Sequence, residues 1–433
     1  MSALRAGAAR ACITPPLGTH LCGFFSDRLA EDVGDDLFAK ALVLANDDTA
    51  IAIVVCDLIA AYKPDFDRAK ARAHELTGIP VENIFMSCTH THYGPASVPI
   101  FVVPREDAYM EWAMDKAGDA VKLAYNRLRP AKVGHASGQC PEECHNRRWH
   151  MKDGSVQMNP GYQTPEALRP AGPTDPEVGV LAVLDESSAP IAVLANYSLH
   201  YVGGPYGLTL SADYFGAFDR ALQRMAGSQF VGIMMNGCCG DINNCDFTRP
   251  APTYPHPFYQ VERVANTVAS RAFGAWQQIR KYDSAPVLAA ASGTMPFTRR
   301  EATPEELAAA RKLYESKNDP SDHEWTYARE MVLVSEEPVT RDTPINSLRV
   351  GDLGITGVPG EVFVEIGLAI KEGSPFARTF VGELANDYAG YIPTDKALQE
   401  GSYETRLARS AKAAPGTQGA LIAACLDSLK SLA

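Results

Sequence analysis

The sequence predicts an α/β protein with a mixed β-sheet core covered by helices. Two observations carry this. Through the first 130 residues, short apolar runs alternate with stretches of helical pattern. Further on, several apolar runs end in polar residues capable of chemistry, which is where open α/β sheets keep their sites. The 433 residues are 46% hydrophobic and 21% charged, the balance of an ordinary globular protein able to bury a large core.

Leu37–Asn46 and Ala50–Ala60 read as two strands joined by the polar turn Asn46-Asp47-Asp48. Asp65–Leu76 carries a helical pattern stopped by Gly78 and Pro80, and Asn83–Cys88 reads as a buried strand. Asp107–Arg127 is a second helix, ended before Pro130. The stretch from Gly134 to Pro176, rich in Gly, Pro, Asn and Arg, reads as one long irregular excursion. Strands are expected at Gly179–Leu184 and Ile191–Leu199, a helix at Asp213–Met225, a buried strand at Phe230–Met235 and a long helix at Glu262–Arg280. The charged helices Glu305–Lys317 and Glu324–Val334 are expected to form a solvated outer layer. Ile345–Val350, Leu353–Val358 and Arg378–Leu384 complete the strands. No repeat, low-complexity tract or Ser/Gly linker divides the chain, so residues 1–433 are read as a single catalytic domain.

The composition narrows the partners. No apolar run is long enough to cross a bilayer, so no integral membrane association is expected. A formal charge of −12 argues against nucleic acid, whose phosphates require clustered Lys and Arg. The 10 cysteines are irregularly spaced and no secretory leader opens the chain, which together point to a reducing cytoplasm. Cys140-x-x-x-Cys144-His145 lacks the second pair that a zinc knuckle needs. A small-molecule substrate fits this balance, and a homo-oligomer is compatible with it.

The chemistry concentrates at strand ends. His90 and His92, in Thr89-His90-Thr91-His92, follow the strand Asn83–Cys88, and alternation in extended backbone points both imidazoles the same way. His200 ends Ile191–Leu199. Pro359-Gly360-Glu361 follows Leu353–Val358, and Asn386-Asp387-Tyr388-Ala389-Gly390-Tyr391 follows Arg378–Leu384. If these strands share one sheet, their ends converge on one rim. Two imidazoles and a carboxylate are a normal ligand set for catalytic zinc with one position left for water. Ordinary structural readings stand beside this one. His200 suits a hydrogen-bonded strand-end histidine, Glu361 a cap for a helix beginning at Val362, and Tyr388 and Tyr391 packing residues.

Five motifs give the chain a resemblance to the catalytic N-terminal domain of the neutral (non-lysosomal) ceramidase family. They are Ala6-Gly7-Ala8 with Ile13-Thr14-Pro15-Pro16, Gly18 and Gly23; Thr89-His90-Thr91-His92-x-Gly94-Pro95; His145-Asn146-Arg147-Arg148; Pro359-Gly360-Glu361; and Asn386-x-Tyr388-x-x-Tyr391-x-x-Thr394 with Tyr403 beyond. The resemblance runs nearly end to end and implies that fold. It further implies a zinc ion held by His90, His200, Glu361 and Tyr391. His92, Arg147 and Tyr403 would then line the reaction centre as proton carrier and oxyanion stabilisers. Asp213 and Asp241 fall in family-like segments and read as supports for the ligands.

Two departures bear on substrate. Where the family carries a serine after the Gly-Asp of Asn236-Gly-Cys-Cys-Gly-Asp241, this chain has Asn243, which can donate a hydrogen bond but cannot be a nucleophile. That favours metal-bound water as the attacking group. The sequence ends soon after Tyr403, so the β-rich C-terminal domain of ceramidases is not expected here. The expected function is therefore a zinc-dependent hydrolase of an amide, ester or lactone of a small soluble substrate, sugar-derived or acylated, rather than of ceramide. A metal-dependent lyase acting by proton abstraction on a carboxylate-bearing substrate such as a uronic acid is the alternative enzyme class. A non-catalytic metal-binding module is the alternative outside enzymes.

Overall fold

The computed structural model describes residues 3–204 and 207–433. In chain order the larger strands are β1 (Arg5–Cys12), β2 (Phe38–Ala45), β3 (Ala50–Cys56), β4 (Ile84–Cys88), β5 (Arg129–Gln139), β6 (Glu177–Asp185), β7 (Pro190–Tyr197), β8 (Val231–Asn236), β9 (Leu288–Thr298), β10 (Thr340–Val350), β11 (Leu353–Gly357) and β12 (Arg378–Gly382). The helices are α1 (Lys63–Thr77), α2 (Asp107–Tyr125), α3 (Asp213–Ala226), α4 (Tyr259–Gln277), α5 (Pro304–Ser316), α6 (His323–Ser335), α7 (Val364–Gly373), α8 (Asp395–Glu400) and α9 (Thr417–Lys430).

Two sheets stack face to face. The first has eight strands in the order β8-β7-β6-β5-β1-β2-β3-β4, and the second has four in the order β9-β10-β11-β12. Leu42, Ile53, Phe85 and Leu194 of the first sheet share one apolar cluster with Leu348, Ile355 and Phe380 of the second. The outer face of the large sheet is covered by α1 and α2 at one end and by α3 and α4 at the other. Helices α7 and α9 cover the small sheet. The mixed α/β architecture expected from the sequence is thus present, as four layers.

The expectation that the four chemistry-bearing strand ends share one sheet is corrected. β4 and β7 belong to the large sheet, and β11 and β12 to the small one. Strand patterns look alike in either sheet, because every one of these strands is buried on both faces. The ends converge nonetheless. Each sheet pairs parallel strands through helical crossovers, β3-α1-β4 and β7-α3-β8 in the large sheet and β11-α7-β12 in the small one. Beyond β12 the chain crosses to the large sheet, where Glu383 N donates to Asn236 O at 3.0 Å and Asn386 N donates to Met86 O at 2.9 Å.

Two further expectations change. The excursion from Gly134 to Pro176 begins as strand, since β5 runs to Gln139. Gly134 and Gly138 are packing residues: a Cβ on Gly138 would lie 2.9 Å from Arg271 O in α4, and one on Gly134 2.6 Å from the Ile279 side chain. Of the two charged helices, α5 is solvated with only Ala310 buried, but α6 buries Trp325, Tyr327, Glu330, Val332 and others. Buried Glu330 is what lets α6 sit inside, because both its carboxylate oxygens are paired with Arg409.

Candidate active site

The site lies where the carboxyl ends of the parallel strands meet. After β4 the backbone is pinned to the end of β3, with Thr89 N donating to Cys56 O and His90 N to Leu58 O, each at 2.9 Å. His90 adopts a left-handed φ of 75°, a conformation costing on the order of 1–3 kcal/mol for a residue with a Cβ. His90 Nδ1 lies 2.9 Å from the Ile59 carbonyl oxygen, so that nitrogen carries the proton and donates it. Nε2 is left as the free atom, and it faces Glu361 Oε2 at 3.3 Å.

His92 is oriented through Asp213, the first residue of α3. Asp213 Oδ2 accepts from His92 N at 3.0 Å and from the Thr91 hydroxyl at 2.9 Å. Gly23, at φ 97°, lies flat against the His92 ring, and a Cβ there would be 2.8 Å from His92 Cγ. His200 follows β7, and its Nε2 lies 3.0 Å from His92 Nε2. Its Nδ1 accepts from Arg147 Nη1 at 3.1 Å and sits 3.8 Å from Glu361 Oε2. With Nδ1 accepting, Nε2 carries the His200 proton and donates it to His92.

Arg147 is buried and fully engaged. Its Nε donates to Glu404 Oε1 at 2.9 Å, and its Nη2 to Gly240 O at 2.8 Å and Tyr391 Oη at 3.0 Å. Glu361 and Tyr391 face each other in a short parallel pairing of Glu361–Val362 with Tyr391–Ile392. Tyr388 Oη donates to Glu361 Oε1 at 2.8 Å. The Tyr403 ring meets the Tyr391 ring edge-on, centroids 5.8 Å apart.

Burial sets the electrostatics. It pushes His92 down to about 3, helped by the charge on His90, and holds His200 well below the usual imidazole range together with Arg147. Burial also lowers His90, but the adjacent Glu361 carboxylate more than reverses this and leaves it raised. Glu361 would be raised by burial, yet His90 and the two tyrosine hydroxyls bring it below its ordinary value. Burial raises the phenols of Tyr388, Tyr391 and Tyr403.

The ligand atoms of His90, His92 and His200 all lie within 4.8 Å of one another, so this buried group can hold a metal ion. The donor set also suits one at Glu361. His90 Nε2 and Glu361 Oε2 are buried and make no hydrogen bond, and a divalent cation is what two such lone pairs would share.

Of the residues singled out from the sequence, His90, His92, His200, Glu361, Tyr391 and Arg147 are brought together, with Tyr403 beside them. Asn243 is buried in a short pairing with His145, and its amide donates to Asn159 Oδ1 at 2.8 Å while its Oδ1 accepts from Cys245 N. Its hydrogen bonds therefore hold a loop and do not reach the imidazoles. Asp241 supports the Arg147 strand, accepting from Asn146 at 2.7 Å and from Val364 N at 2.9 Å. Cys140 and Cys144 sit in the apolar core beneath α3 and α4, both thiols pushed up by burial.

This chain can now be set against known proteins. No protein-family model and no curated protein matches its sequence. Solved structures do match. Neutral ceramidase from Pseudomonas aeruginosa superposes with a TM-score of 0.76 at 18% identity, covering 100% of this chain and 75% of that one. The chain has the neutral ceramidase fold. A ceramidase complexed with C2 matches likewise, with a TM-score of 0.75, 17% identity and the same coverage. The neutral ceramidase fold therefore extends over this whole chain at 17–18% sequence identity.

Sequence reasoning missed two carboxylates in this site. Glu404 receives both Arg147 and Arg148. Glu383, raised to about 8 by burial, accepts from Cys239 N at 3.1 Å and Val362 N at 3.3 Å. A glutamate inside an apolar run, as in Val381-Gly-Glu383-Leu-Ala385, is the signal that could have found the second.

Proposed function

We propose that the chain is a zinc-dependent hydrolase of an amide, ester or lactone bond in a small-molecule substrate. The observation that carries this is the pair of orphaned lone pairs, His90 Nε2 and Glu361 Oε2, facing each other beside His200 and the buried Arg147. His90, His200, Glu361 and Tyr391 are the residues proposed to hold zinc, the binding nitrogen of His200 giving up its present hydrogen bond. When bound, zinc supplies Lewis acidity, polarising an acyl carbonyl and making water nucleophilic at neutral pH.

The chain's own residues do the rest. Arg147 is a fixed positive charge, locked by Glu404 and Gly240, next to where negative charge develops on the acyl oxygen. His92 is held neutral by burial, and its Nε2, which here accepts from His200, is the proposed hydrogen-bonding contact to the substrate. Tyr403 donates a hydrogen bond from a phenol that burial keeps protonated. Asn243, tied to Asn159, acts here as a positioning residue.

Two measurements test the reading. Metal analysis of purified protein should give about one zinc per chain, lost in the His90→Ala/His200→Ala double variant; undiminished zinc in that variant refutes the site. Turnover in heavy-oxygen water should label the acid product, and an unlabelled product would establish elimination instead.

A further inference from the structure

A cleft of about 660 Å³ opens beside the site, and Tyr403 is part of its wall. Its other walls include Phe25, His323, Tyr327, Ser402 and Arg406. Tyr403 links it to the reaction centre, lying against Tyr391 on one side and Phe25 on the other, with centroids 5.8 and 6.1 Å away. Resting on the hydrolase reading above, we propose that this cleft binds the non-reacting part of the substrate, and that this part carries a carboxylate received by Arg406.

The guanidinium carbon of Arg406 lies over the Tyr327 ring, 3.7 Å from its centroid. Stacking fixes the plane of the fork and leaves its edges for hydrogen bonding, the geometry a carboxylate meets bidentately. The one carboxylate now on it is Glu324, whose Oε2 accepts from Nη2 at 2.7 Å. Both partners are well exposed, 43% and 68%, so solvent screens the pair and a substrate carboxylate displaces Glu324 at small cost. Arginine held by a weak, solvated partner inside a cleft differs from Arg147, Arg148 and Arg409, whose carboxylates are buried.

The same cleft has little open aromatic surface. Phe25 has one face on Phe101, centroids 4.1 Å apart, and the other on His323 at 4.5 Å. Tyr327 is covered by Arg406. The surfaces that remain for a ligand include the exposed His323 ring, the half-buried Leu398 and Tyr403, the Ser402 side chain and the Arg406 fork. A compact ring or short chain ending in a carboxylate matches that lining.

The test uses 4-acetylbenzoate and its neutral counterpart 1,4-diacetylbenzene, neither of which has a hydrolysable bond. Calorimetric titration of the full chain, zinc-loaded and chelated in parallel, should show the acid binding about tenfold tighter than the diketone. Arg406→Gln should abolish that preference, and Glu324→Gln should tighten binding of the acid by about threefold, since it removes the competing carboxylate. Equal affinities, no binding of either compound, or a preference that survives Arg406→Gln would overturn the proposal. Neither probe is turned over, so failure here leaves the hydrolase reading to its own zinc and heavy-oxygen measurements, and failure of those leaves this titration informative.

Discussion

His90 Nε2 and Glu361 Oε2 lie 3.3 Å apart, one delivered by the eight-stranded sheet and the other by the four-stranded sheet. Both are buried and neither makes a hydrogen bond. Removing a charge from water costs several kcal/mol unless something compensates it. A divalent cation would do so, and would tie the two sheets together at their rim.

Glu361→Gln keeps the shape and the Tyr388 contact but removes the charge. Zinc added to the chelated wild type should raise its melting temperature, because a ligand that binds only the folded state stabilises it. The Gln variant should show little of that rise, with zinc affinity down by about tenfold to a hundredfold or more. A full thermal response in Glu361→Gln would remove this carboxylate from the ligand set.

Glu404 carries two arginines. Its Oε1 accepts from Arg147 and its Oε2 from Arg148, each at 2.9 Å, with all three side chains buried. Glu404→Gln leaves buried Arg147 against a neutral amide and Arg148 with only its 3.5 Å carboxylate contact to Glu400, so urea unfolding should show a loss of about 3–5 kcal/mol. Asp47→Ala breaks the exposed 3.9 Å pair with Arg5 and should cost under about 0.5 kcal/mol. Comparable losses in the two variants would mean that the buried network is not what holds Arg147.

What was legible in the sequence follows from what periodicity encodes. Hairpin β2–β3, helices α1 to α4 and strand β4 were readable within a few residues, because apolar alternation, Gly78 and Pro80 mark them locally. β1 was not read as a strand. Its Arg-Ala-Gly-Ala-Ala-Arg-Ala-Cys lacks β-branched residues, and it is a strand because small residues let α2 approach: a Cβ on Gly7 would lie 2.2 Å from Ala124 O. The assignment of strands to two sheets was also hidden, being a property of long-range packing. At the site, His90, His92 and His200 stood out as imidazoles at strand ends. Glu404 did not, since nothing near Tyr403 in sequence announces two arginines from residues 147 and 148.

Backbone spacing around the site gives a matched pair of glycine variants. A Cβ on Gly240 would sit 2.5 Å from Glu361 O, and the Gly240 carbonyl also holds Arg147. Gly240→Ala should therefore lower stability by about 1–3 kcal/mol and weaken zinc binding together with it. Gly274, inside α4, has nothing within 4 Å of its virtual Cβ, so Gly274→Ala should stabilise by roughly 0.5–1 kcal/mol through helix propensity. Unfolding curves and zinc titrations of both decide it. Unchanged zinc affinity in Gly240→Ala would show that Glu361 tolerates the displacement.

Asp57, at the end of β3, supplies the pH prediction. It is fully buried, with Oδ2 accepting from Phe38 N at 2.9 Å and Oδ1 making no hydrogen bond. Burial raises its carboxyl from 3.8 to about 6, although Lys40 and the Phe38 N–H oppose the rise. Between about pH 4 and pH 6 the folded chain keeps a proton that the unfolded chain has lost, so stability falls as pH rises through that window. A shift of this size corresponds to roughly 3 kcal/mol, complete above the folded value. Asp57→Asn retains the acceptor for Phe38 N and cannot ionise. Asp241, Asp213 and Glu383, raised to about 6, 7 and 8, impose the same trend on both proteins. The informative quantity is therefore the difference between the variant and the wild type, measured by urea unfolding from pH 4 to pH 8. That difference should move in favour of Asp57→Asn by roughly 3 kcal/mol between pH 4 and pH 7. Parallel stability curves would show that the Asp57 carboxyl ionises as readily inside the fold as outside it.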